Sequence, residues 1–93
     1  MRRVVKSVVS PEFRNSLESL SPNIQNQARR AYELWRSDPG HPSLAFHQLK
    51  PKNVLSAPVG LHYRAICVEV EPGVYVWDWI GSHSDYDKLV DSL

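Results

Sequence analysis

The side chains best suited to move a proton or hold an anion fall in three short stretches: His62 and Arg64 in "LHYRAI", His83 and Tyr86 in "WIGSHSDYDKLV", and Lys50 and Lys52 in "LKPKN". The turn "EPG" fixes how the first two stretches meet. If Pro72 and Gly73 form its centre, with Glu71 facing Val74, then His62 lies opposite His83 and Arg64 opposite Gly81. A three-residue turn instead sets Arg64 opposite Ile80 and His62 opposite Ser82. Either register brings Arg64, His62 and His83 to one end of one strand pair. His62 and Arg64 share a face, because side chains alternate along a strand. The loop with Lys50 and Lys52 is expected to leave the neighbouring strand near that same end.

A guanidinium, imidazoles and ammoniums gathered in one place suit a phosphodiester. Arginine holds phosphate bidentately, lysines add point charge, and imidazole transfers protons near neutral pH. RNA cleavage without a metal needs a base for the 2′-hydroxyl, a cation on the crowded phosphate and an acid for the departing 5′ oxygen. No paired acids stand at metal-binding spacing, so no metal and no cofactor is expected.

Each residue also has a plain structural reading. A histidine near a strand end can be a surface or hydrogen-bonded residue, Tyr86 can be core, and the two lysines beside Pro51 can be a solvated loop. Trp77 and Trp79 are expected on one strand face, as packing or as a platform for RNA bases. His41 and His47 have no partner and are read as structural. Cys67, between Ile66 and Val68, reads as a buried small hydrophobe.

The elements that must position these residues follow from punctuation and periodicity. Val4, Val5, Val8 and Val9 form a β-branched opening strand. It stops at Ser10–Pro11, which cap and begin a helix with Glu12 in its first turn. Phe13, Leu17 and Leu20 make one apolar stripe. Ser21–Pro22 repeat the signal, and Ile24, Ala28, Ala31 and Trp35 keep one face of a longer helix apolar. "SDPGHPS", residues 37–43, ends it. "LAFHQL" reads as a short strand, "KPKNVLSAPVG" as a polar loop, and "LHYRAICVEV" and "VYVWDWI" as a hairpin. Ser84 is expected to cap a last helix with Asp85 and Asp87 in its first turn. The order is β-α-α-β-β-β-α: an α+β fold, an antiparallel sheet with a helical hairpin on one face, the other face open.

Composition sets the outer bounds. Ninety-three residues, 42% hydrophobic and 23% charged, make one folded domain spanning residues 1–93. A single cysteine excludes an internal disulfide, and no apolar run is long enough for a membrane, so a cytoplasmic protein is expected. Net charge is +1, yet it is unevenly spread. Basic clusters stand at Arg2–Arg3, Arg29–Arg30 and Lys50–Lys52, while residues 69–93 carry six acids against Lys88 alone.

"HYRAI", "WIGSHSDYDKLV" and the approach "AYELWRSDPGHPSLAFHQLK" together resemble the RelE/ParE toxin superfamily of bacterial toxin–antitoxin modules, over essentially the whole chain. The resemblance implies a RelE-like fold and the toxin of a type II pair. Its RelE-, YoeB-, HigB- and YafQ-like branches cleave mRNA, usually on the ribosome; the "IGSH" ending resembles these. The ParE-like branch instead inhibits DNA gyrase, and a non-toxic interaction domain is a third possibility. Carried over by position, Arg64 would stabilise phosphate, His83 would transfer the proton, and Tyr86 would orient or stack the substrate. Lys50 and Lys52 would hold the RNA backbone; His62 rests on strand geometry alone. The implied partners are a cognate antitoxin, mRNA and the ribosome.

Overall fold

The computed structural model describes residues 4–92. Strand β1 (Lys6–Val9) leads into helix α1 (Pro11–Glu18), then helix α2 (Pro22–Ser37) and a single 3-10 turn at Pro42–Leu44. Strands β2 (His47–Gln48), β3 (Val54–Val59), β4 (Tyr63–Glu71) and β5 (Val74–Ser82) follow, and helix α3 (His83–Asp91) closes the chain. The sheet runs β1-β5-β4-β3-β2. The α+β class holds with one strand more than expected, and the sheet is mixed: β1 pairs parallel with β5, the rest antiparallel.

Both Ser-Pro signals act as helix starts. Ser10 Oγ accepts from Phe13 N–H at 3.1 Å and Ser21 Oγ from Ile24 N–H at 3.4 Å. The opening strand begins at Lys6 rather than Val4, Leu20 falls just past the end of α1, and the Arg2–Arg3 cluster lies outside the described residues. The segment read as a polar loop contains β3, whereas the strand read at 44–49 is reduced to His47–Gln48. Helix α3 is capped by Ser82, whose Oγ accepts from Asp85 N–H at 3.1 Å; Ser84 is inside the helix.

The β4–β5 hairpin uses both anticipated registers. Its turn has two residues, with Glu71 opposite Val74, and Pro72 precedes Gly73 at φ 80°, a type II arrangement that glycine supplies without strain. Cys67, Val68 and Glu69 then face Trp77, Val76 and Tyr75, one residue out of step. The step reverses between Ile66 and Cys67, and from there Tyr63–Ile66 face Ser82–Trp79. Asp78 is the extra residue on β5 and Val70 the extra residue on β4, two bulges that cancel.

The helical hairpin packs on the face that carries Leu55, Val59, Ala65, Cys67, Tyr75, Trp77 and Ile80. Trp35 is its centre: 1% exposed, edge-on to Tyr75 at 5.0 Å and to Trp77 at 5.1 Å, and stacked with Phe46 at 6.3 Å. The opposite face, carrying Ser56, Arg64, Ile66 and Trp79, is not open as expected, because α3 covers one end of it through Tyr86. Trp77 and Trp79 therefore lie on opposite faces, separated by the Asp78 bulge.

Trp35→Ala should empty the point where the rings of Tyr32, Phe46, Tyr75 and Trp77 meet and cost about 3–5 kcal/mol. Urea denaturation checks this. A loss below about 1 kcal/mol would mean that the hairpin is not anchored through this ring.

Candidate active site at one end of the sheet

Arg64 enters this end on β4, opposite Gly81 on β5 and Pro58 on β3. Its Nη2 donates to Ser56 Oγ at 2.9 Å, and its Cζ lies 4.8 Å from the centre of the Tyr86 ring. Ser56 is fully buried, two residues from Pro58 on the same face of β3. The Tyr86 hydroxyl donates to the same Ser56 oxygen at 3.0 Å. One neutral oxygen thus accepts from both the guanidinium and the phenol. Arg64 Nε is buried with no partner, and among the described residues no carboxylate pairs with this arginine. The result is a held cation with several N–H donors still uncommitted.

His83 is the first residue of α3. Its backbone N–H donates to the His62 carbonyl at 2.8 Å, one step beyond the last β4–β5 pair, so the two-residue register delivers it beside Arg64's end. Its side chain is 56% exposed, enough to reach a bound molecule. The imidazole Nε2 stands 3.7 Å from Asp87 Oδ1, too long for a hydrogen bond but close enough to attract a protonated ring. Its ring centre is 6.1 Å from that of Tyr86, so Tyr86 touches Arg64 on one side and neighbours His83 on another. Trp79 backs Tyr86 at 6.3 Å, and a Cβ on Gly81 would come within 2.7 Å of the Trp79 ring. Only glycine fits opposite Arg64 while that indole stays in place.

Not every expected residue offers a free side chain to this group. Tyr86 is 8% exposed with its hydroxyl committed, so it positions Arg64 and presents no free phenol. His62 sits in the turn between β3 and β4, exposed, and its firm contribution is the carbonyl that holds His83. Lys50 and Lys52 belong to the β2–β3 connection, next to Val54, which pairs with Val68. Asn53 and Glu69 exchange backbone and side-chain bonds there. The lysines therefore stand at the opposite end of the sheet from Arg64, because the unanticipated β3 carries the chain the length of the sheet. Ser56 is the residue that sequence reasoning missed. Its signal was a lone hydroxyl in the run Val54–Val59, now at 0% exposure. No three His, Cys, Asp or Glu side chains among the described residues gather to hold a metal ion.

An apolar cleft of about 290 Å³ opens between α2 and the sheet, lined by Phe13, Tyr32, Trp35, Phe46 and Trp77 among others. It lies on the other face from Arg64, and of its lining residues Arg29 alone is charged.

The family described as ParE-like toxin domain matches residues 22–88, most of the chain. No curated protein matches by sequence. Among solved structures, the archaeal RelE–RelB complex from Pyrococcus horikoshii gives TM-score 0.68 at 15% identity, over 88% of this chain and 96% of that one. YafQ from Escherichia coli BL21(DE3) gives 0.68 at 14%, over 92% and 98%. The toxin–antitoxin complex RelBE2 from Mycobacterium tuberculosis gives 0.59 at 19%, over 91% and 97%. These likenesses speak for a shared fold.

Ser56→Ala should cost about 1–3 kcal/mol by stranding two donors, and Tyr86→Phe should cost less. If one oxygen couples them, the double variant loses clearly less than the two single losses added together. Strictly additive losses in chemical denaturation would refute the shared-acceptor geometry.

Proposed function

The chain belongs to the ParE-like toxin domain family, within the RelE/ParE toxin superfamily, and from that premise we propose that it is a type II toxin acting as a metal-independent endoribonuclease on mRNA. In this reading residues 1–93 form a single cytoplasmic toxin domain. The observation that carries the proposal is Arg64: oriented by a serine and an aromatic ring, without a carboxylate partner among the described residues, beside an exposed imidazole.

The reaction follows from those groups. The 2′-oxygen of the substrate attacks the adjacent phosphorus and loses its proton. The P–O5′ bond breaks, and the leaving 5′ oxygen takes up a proton. Products are a 2′,3′-cyclic phosphate and a 5′-hydroxyl. Arg64 holds the phosphate as negative charge concentrates on its oxygens. His83 transfers a proton, with Asp87 steadying the imidazolium. Tyr86 and Ser56 fix the guanidinium and keep out of the chemistry. His62 holds a backbone phosphate next to the scissile one, and Lys50 and Lys52 hold phosphates at the far end of the sheet. The ribosome is the proposed setting, and a cognate antitoxin is the proposed partner, as the RelE–RelB and RelBE2 neighbours are toxin–antitoxin complexes. No helix among the described residues is long and apolar enough to cross a membrane.

A second reading, gyrase inhibition by contact, is favoured by one observation, the ParE-like character of the matching family. Induction of the intact chain separates the two. On the ribonuclease reading, messages are cut within minutes while plasmid supercoiling stays normal, and His83→Ala or Arg64→Ala lowers cleavage by roughly 10²–10⁴-fold with the circular-dichroism spectrum preserved. Altered supercoiling with intact messages would replace this reading by the other. Full cleavage in both variants would remove the site.

A further inference from the structure

The sheet ends on β1, and that edge is open. In the parallel ladder with β5, Lys6 N–H donates to the Gly73 carbonyl at 3.1 Å and Ser10 N–H to the Trp77 carbonyl at 2.9 Å. The even-numbered residues of β1 therefore spend their backbone groups on β5, and Ser7 and Val9 turn theirs to the free side. Nothing else on β1 discourages a further strand, since it has neither a proline nor a bulge. The opposite edge is blunted: β2 is two residues long, and Pro58 of β3 has no N–H.

This edge is apolar where it meets solvent. Val8 faces Val76, Val76 faces Val68 and Val68 faces Val54, so one row of valines crosses four strands on the face away from the helical hairpin. The row stops at Val8, which is 42% exposed. Val5 and Val8 are two of the four large apolar side chains exposed among the described residues.

The strand complements itself. With a second β1 set antiparallel about a two-fold axis at Val8, the outward groups of Ser7 meet those of Val9 of the second copy, and reciprocally. Val8 then lies against Val8 of the second copy as a non-hydrogen-bonded pair, where side chains stand closest, and the valine row runs on from one sheet into the other. Lys6, the one charged residue of β1, falls opposite Ser10 of the second copy rather than opposite another lysine. Ser10 stands beside Asp78, its Oγ 3.4 Å from the Asp78 carbonyl. Asp78 is exposed, and neither it nor Lys6 has an ion-pair partner among the described residues. The axis thus brings Lys6 toward Asp78 of the other copy, and does so twice. Centring it on Ser7 instead would set Lys6 against Val8 and break the row.

We infer that β1 is the seam of a homodimer, in which a second copy of this chain adds its β1 antiparallel and joins the two five-stranded sheets into one. The seam is short, so the dimer forms with rising concentration and is not obligate. Arg64 lies two strands in from the seam, on β4, so the inference stands whether or not the chain is a ribonuclease.

Sedimentation velocity of the full chain over about a hundredfold range of concentration should show the mass rising from one chain towards two. Val8→Lys sets two like charges face to face on the axis, at a position already exposed, and should weaken association about tenfold or more. Oxidation reports the register. Val8→Cys should give a disulfide-linked dimer, and Lys6→Cys, also exposed, should not, because its counterpart is Ser10. Cys67 is buried and gives no background. The cross-linking arm decides the question even where Val8→Lys disturbs the fold. A chain that stays monomeric, and cross-links no faster through Val8→Cys than through Lys6→Cys, overturns the proposal. Association that survives Val8→Lys places the interface elsewhere and overturns it too. Amide protection at Ser7 and Val9 gained only with a cognate antitoxin bound, the chain alone being monomeric, gives the edge to the antitoxin and not to a second copy.

Discussion

The arrangement of this molecule turns on one extra residue. Asp78 bulges out of β5, and the bulge reverses which side of the sheet each later side chain faces. Before it, Tyr75 and Trp77 point to the helical hairpin and build the core around Trp35. After it, Trp79 and Gly81 point the other way, toward Arg64. Without the bulge, Trp79 would compete for the helix face and Gly81 would not lie opposite the arginine. The chain secures the irregularity from the end of the neighbouring strand β1. Ser10 N–H donates to the Trp77 carbonyl at 2.9 Å and Ser10 Oγ to the Asp78 carbonyl at 3.4 Å, so the residue that caps α1 also satisfies the backbone at the bulge. Hairpin docking and site register are thus one constraint.

That constraint explains why the two faces of the sheet serve different ends. The helix side is filled by large rings and sets stability. The other side has only α3 over one end, and there the buried residues are Tyr86, Ser56 and Ile66. Net charge is a poor guide to such a molecule. A value of +1 averages acids at the β4–β5 turn and in α3 with cations such as Arg64 that have no carboxylate partner among the described residues. The placement of charge is local: Arg64 stands at one end of the sheet and Lys50 and Lys52 at the other.

Much of this was legible in the sequence, for reasons that can be named. Ser10–Pro11 and Ser21–Pro22 are local chemistry, complete within a few residues, and both are helix starts in the structure. "EPG" specified a turn and narrowed the partner of Arg64 to Gly81 or Ile80; the two-residue count holds at Gly81 because the Val70 and Asp78 bulges cancel. The bulges were not legible: nothing in "VYVWDWI" marks Asp78 as the residue that stands out of register. Strand β3 was hidden by Pro58, which argues against a central strand. The structure removes the objection, since β2 reaches only Leu55 and Ser56, leaving Pro58 with no neighbour on that side to disappoint. With β3 hidden, Lys50 and Lys52 fall at the wrong end of the sheet, because a six-residue strand carries the chain between them and Arg64. Ser84 looks like the cap in place of Ser82 because β5 runs two residues farther than its apolar pattern.

The way Arg64 is held has its own logic. A half-buried arginine such as Arg64 can be fixed by a carboxylate, which would orient it and also cancel its charge. Here a serine hydroxyl and the face of a tyrosine do the orienting. Ser56 accepts one N–H without bringing a counter-charge, and the Tyr86 ring supports the cation through its quadrupole, which leaves the formal charge whole. Tyr86 is itself fixed by the same oxygen, so helix α3 and the guanidinium share a reference point at the base of the site. The unpartnered Nε shows what this costs: a buried donor stays unsatisfied. An acid in place of Ser56 would cancel the charge and bury a second ionised group at this fully buried position. Keeping a neutral acceptor makes sense where the positive charge is needed by something that arrives from outside.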